Sequence, residues 1–143
     1  MPKGTMEKIS KEEAIAFTLP FTGKAVTRVW QGNGSAIFLE IGELTDNKGE
    51  LTVMIEWSWR VEKGQEIEFG SWSDDSKFPD LLETLRGLTL ESISFQSRLP
   101  EVVLELSSDT WVCSFSTVEG DPEWALITKG KTLHSREGAL AFE

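Results

Sequence analysis

The sequence predicts a mainly β protein of one domain, built as two similar antiparallel units packed as a sandwich or half-open barrel with one short connecting helix. Three observations carry this expectation. Apolar and polar residues alternate strictly in most segments. Gly, Asn, Asp and Pro punctuate those segments at short intervals. Landmarks of the first half recur in the second about 64 residues on. A chain of 143 residues fits one domain, and six Trp and eight Phe supply bulky core material.

The first element expected is a helix over Ser10–Phe17, where Ser10 and Glu13 stand in capping-box spacing. Gly23 opens a turn before a strand bearing Val26 and Val29. Ile37, Leu39 and Ile41 share a face over residues 36–41, and Leu51, Val53, Ile55, Trp57 and Trp59 do so over nine residues, which reads as one long strand. A further strand spans Glu66–Trp72, completing unit one at about residues 21–72. Pro79 to Arg86 has first-turn Pro, Leu81, Leu82 and Leu85 at helical spacing and Gly87 as a stop, so it reads as the connecting helix.

Unit two, about residues 87–143, repeats the pattern. Gly87, Leu90 and Ile93 match Gly23, Val26 and Val29 at an offset of 64. Val102, Leu104 and Leu106 match Ile37, Leu39 and Ile41 at 65, and Trp124 and Leu126 match Trp59 and Val61 at 65. Trp111, Cys113 and Phe115 pair with Leu51, Val53 and Ile55 at 60, which makes them the expected inward face of their strand. Strands at Thr132–His134 and Ala139–Phe142 close the chain.

Chemistry is sparse. A Cys113–His134 nucleophile pair needs both side chains together, yet Cys113 falls between two aromatic residues on a face read as core, where Cys acts as a small hydrophobe. No Gly-x-Ser-x-Gly elbow is present, and Ser71–Asp75 lacks the spacing of a calcium loop. One His and one Cys leave too few N/S ligands for structural zinc. No catalytic residue, metal or cofactor is therefore expected.

Charge is the clearer signal. The chain carries −10 overall, and residues 74–123 hold eleven acidic against three basic residues, a net of −8. Such a face is either plain solvated surface or a docking face for a basic protein partner. It argues against nucleic acid, whose phosphates call for clustered Lys and Arg. The tryptophans are the second signal, either core or the lining of a small-molecule cavity between the two units. Candidate binding residues are Trp59, Arg60, Trp72, Asp74, Asp75, Glu119, Asp121, Glu123 and Trp124. Residues 1–13 lack an apolar stretch behind their basic residues, and Ala36–Leu39 is far short of the ~20 residues of a membrane span. A cytoplasmic location without membrane contact is expected, and the lone Cys113 fits a reducing compartment.

Trp59-Arg60 at the end of a central strand, Gly70-Ser71, and the later Trp124-Ala125-Leu126 resemble the signature of a family of small uncharacterised bacterial proteins. Some of those resemble immunity proteins that neutralise a neighbouring toxin. The resemblance implies a binding role and brings no catalytic residue with it.

Overall fold

The computed structural model describes residues 6–143; residues 1–5, part of the segment read above as lacking a leader, lie outside the described residues. Its elements are β1 (Glu7–Ile9), α1 (Lys11–Thr18), β2 (Val26–Gln31), β3 (Ile37–Ile41), β4 (Leu51–Ile55), β5 (Trp59–Lys63), β6 (Glu66–Gly70), α2 (Phe78–Glu83), β7 (Leu90–Gln96), β8 (Glu101–Leu106), β9 (Thr110–Ser114), β10 (Trp124–Ile127), β11 (Thr132–Arg136) and β12 (Ala139–Phe142). A seven-stranded antiparallel sheet runs β1-β12-β11-β10-β4-β3-β2, and a five-stranded one runs β6-β5-β9-β8-β7. Together they form an all-β sandwich.

Alternation explains the core. Ile37, Leu39, Ile41, Leu51, Val53 and Ile55 from one sheet, and Trp59, Val61, Phe95, Val102, Leu104 and Val112 from the other, form one cluster of buried side chains. Phe78, Leu82 and Leu85 of the α2 region join it. The expected N-terminal helix is present, with Glu13 N–H donating to Ser10 Oγ and Ser10 N–H to Glu13 Oε1, each 3.1 Å.

Two expectations are corrected. Residues 51–59 are not one strand: β4 stops at Ile55, and the chain passes through Glu56–Ser58 into the other sheet, where Trp59 starts β5. Each sheet needs a row of apolar side chains, and the nine-residue alternation supplies both in turn. The units are also not self-contained. After the meander β2-β3-β4 the next strand, β5, pairs with β9; after β7-β8-β9 the next, β10, pairs with β4. Smaller differences are a connecting helix that spans Phe78–Glu83, after a 3-10 turn at Asp75–Lys77, and a β6 that ends at Gly70.

Contacts between the halves come in reciprocal pairs. Gly23 N–H donates to Leu90 O (2.8 Å) and Gly87 N–H to Val26 O (2.7 Å), both glycines having φ near +90°, a region other residues avoid. Val26 N–H donates to Leu88 O (2.7 Å) and Leu90 N–H to Lys24 O (2.8 Å). A third pair lies within the halves: Trp59 Nε1 donates to Ser35 O (2.6 Å) and Trp124 Nε1 to Pro100 O (2.9 Å). In each pair the second bond is the first shifted by 64 or 65 residues; the glycine and β2–β7 pairs exchange the halves, whereas each Trp bond stays within its own half.

The outer faces of the two sheets differ. On the seven-stranded sheet Trp30 stacks on Phe38 at 3.9 Å, and the Arg28 guanidinium lies 5.1 Å over the indole. Beneath them Glu40 is fully buried, and its carboxylate accepts from Trp30 Nε1 (2.8 Å), Gly49 N–H (2.9 Å) and Thr52 Oγ1 (2.5 Å). At the matching positions of the other sheet, Ser94 opposite Val103 replaces Trp30 opposite Phe38.

Trp59 and Trp124 are 0% and 2% exposed. Replacing either with Ala is expected to cost about 3–5 kcal/mol, the range for emptying an aromatic site in a core. Urea unfolding of the two variants measures this, with similar losses expected because the two indoles make matching bonds.

Candidate functional site

Strand exchange sets two crossovers side by side at one end of the sandwich. Glu56 N–H donates to Glu123 O and Phe115 N–H to Ser58 O, each 3.0 Å, and the Ser58 and Thr117 hydroxyls bond at 3.2 Å. Glu101 fastens the second crossover by accepting from Ser114 Oγ (2.6 Å), Ser116 N–H (2.9 Å) and Ser116 Oγ (3.2 Å). The loop between β7 and β8 and the β11–β12 turn border this end: Asp121 accepts from Glu137 N–H at 2.8 Å and lies 3.7 Å from the Arg136 guanidinium.

A groove of about 630 Å³ opens on the outer face of the five-stranded sheet, where Val103 leaves space. Arg60 projects into it from β5; its Nε and one terminal nitrogen both reach Glu62 Oε2 at 2.8 Å, and its guanidinium lies 5.9 Å from the Phe115 ring. Trp111 and Cys113 line the same groove. A second groove of about 500 Å³ shares Ser97 and Glu101 with the first and adds Leu99, Val118 and Glu119. Phe115, Val118 and Leu99 are all exposed apolar side chains.

Trp72 stands 75% exposed with its ring 4.8 Å from that of Trp57, edge to face. Both flank the start of β5, because Ser71 N–H donates to Trp59 O at 2.9 Å. Asp74, two residues on, caps the following 3-10 turn by accepting from Ser76 N–H (3.0 Å) and Ser76 Oγ (2.9 Å), and those donors hold its carboxyl below the usual range. Asp75 is the first residue of that turn and is exposed.

The nine candidate residues therefore separate. Trp59 and Trp124 lie in the core. Arg60 and Glu119 line the grooves, while Asp121 and Glu123 belong to the second crossover. Trp72, Asp74 and Asp75 follow β6. The Cys113 expectation is corrected: Trp111, Cys113 and Phe115 point outward, and it is Thr110, Val112 and Ser114 that are buried on β9. The pairing of β9 with β5 sets this phase, since Val112 sits opposite inward Val61. Burial first, then the Glu62 charge, push the Cys113 thiol up to about 11. His134 lies on the other sheet, 2.9 Å from Glu143, so no Cys–His pair exists.

Glu56, Trp57, Trp111, Phe115, Leu99 and Val118 are not among the candidate binding residues read from the sequence. No family model matches the chain, and neither do any curated protein or solved structure.

The Glu56 carboxyl is raised above its ordinary 4.5, first by burial and then by the neighbouring Glu123 carboxyl. A raised acid costs stability once the unfolded chain has ionised, so the cost grows as pH climbs past 4.5 and levels off above the folded-state value. Glu56→Gln is expected to match the wild type below that pH and to gain on it toward neutrality. Urea midpoints across the pH range check this.

Proposed function

We propose that the chain is a non-enzymatic protein-binding module that takes a basic partner at its crossover end, as an immunity-type inhibitor would. The observation that carries this reading is Trp72, three-quarters exposed against Trp57. A large aromatic held out of the core, on a molecule that also exposes Phe115, Val118 and Leu99, has the composition of an interface centre. Glu56, Asp74, Asp75, Glu119 and Glu123 supply an acidic surround that favours encounter with a positive surface and disfavours nucleic acid. A cytoplasmic site of action accords with a lone thiol.

We also propose that the two units descend from one ancestral unit by duplication, supported by the reciprocal backbone bonds between them and by the matching Trp bond within each. The small-molecule alternative has its support in the groove lined by Trp111 and Phe115, outside the sandwich.

Capture experiments from the source cell at low and high salt test the main reading. A basic protein retained at low salt and released at high salt is expected, with retention lost in Trp72→Ala. Because Trp72 is so exposed, that variant should unfold within about 0.5 kcal/mol of the wild type. An acidic partner, or capture indifferent to salt, would count against the reading. Tryptophan fluorescence across a metabolite library addresses the alternative, and a flat response removes it.

A further inference from the structure

We propose that the free edge of β6 receives an extended basic segment of the partner as an added strand. This rests on the protein-binding reading above and specifies its mode. Among the described residues, β6 of the five-stranded sheet is bonded to β5 alone, so the backbone groups of residues 66–70 that point away from β5 meet no described strand. The outer strands β2 and β7, by contrast, have their first residues bonded to each other's lead-in segments.

The side chains along β6 say what would fit. Val61 faces Phe69 and Glu62 faces Ile67, so Glu68 is an extra, bulged residue. Glu66 and Glu68 are exposed, and Ile67 is 59% exposed on the outer face next to Glu62. Gly70 ends the strand opposite Arg60, where a Cβ would come within 2.9 Å of Trp59 O; it leaves the backbone bare. Trp72 stands just beyond. The edge thus offers backbone bonds, an apolar contact at Ile67 and Trp72, and two carboxylates.

Those carboxylates choose between occupants. Pairing β6 with its copy in a second molecule would crowd Glu66 and Glu68 of both chains along one short ladder, and like charges across strands repel. A strand bearing Lys or Arg reverses the sign of that term, while its alternate apolar residues meet Ile67 and Trp72. The partner's chemistry is therefore an alternating basic and apolar stretch.

The test uses the whole chain and a synthetic peptide of about ten residues alternating Lys and Val. Binding is followed by anisotropy, and its place by amide hydrogen exchange. Protection of the amides of residues 66–70 is expected, with binding weakened about tenfold or more in Glu66→Lys/Glu68→Lys. The exposed helical pair Glu12→Lys/Glu83→Lys should have a much smaller effect. Strand addition is overturned by the absence of binding at millimolar peptide, by binding that leaves residues 66–70 unprotected, by equal weakening in both variants, or by self-association that protects the same amides. If a basic cellular partner is captured through Trp72 while β6 stays unprotected, strand addition alone fails. If no basic partner is captured at all, the parent reading fails.

Discussion

Backbone groups at a sheet edge need partners, and neither three-stranded meander of this chain supplies them for its last strand. The far edge of β4 is closed by β10 and that of β9 by β5, each strand arriving from the other half of the sequence. Much of the architecture follows from this exchange. It puts one Trp from each half into the shared core, where Trp59 and Trp124 bond the loops ahead of β3 and β8. It obliges the chain to change sheets twice at the same end, which brings Glu56 and Trp57 beside Phe115 and Glu123.

The two sheets are equivalent in their pairing and unlike in their outer dress. Around Glu40, three donors satisfy a fully buried carboxylate, and the Trp30–Phe38 stack seals the surface above it. That arrangement leaves nothing for a ligand to contact except the covering rings. Across the sandwich, Ser94 and Val103 are too small to seal anything, and Arg60, Trp111 and Phe115 border open space instead. The two meanders share a frame, and the outer face of only one of them is sealed by stacked rings.

The fold class was legible because period-two alternation survives in nearly every strand. The capping box at Ser10 and Glu13 and the paired glycines at 23 and 87 were legible for local reasons, since each satisfies a rule within a few residues. The sheet change at Glu56–Ser58 was not, because Trp57 continues the alternation through the crossover and hides it. Cys113 was misplaced for a related cause: β9 carries apolar residues at Trp111 and Cys113, with Phe115 just beyond, and also at Val112, and only the register with β5 decides which face is buried. Arg60, Glu119 and Glu123 were picked out as candidates through charge and motif, whereas Leu99, Phe115 and Val118 became visible only as exposed apolar side chains.

Strand exchange also governs the order in which the molecule is completed during synthesis. When β5 leaves the ribosome, its partner β9 lies nearly fifty residues downstream, and the edge of β4 waits longer still for β10. Pairings of such long range are slow to form, because loop entropy is lost before contacts repay it. Trp59, Val61 and the edge of β4 therefore remain uncovered in the nascent chain until the second half emerges, and a chaperone that shields apolar strands has its natural target there.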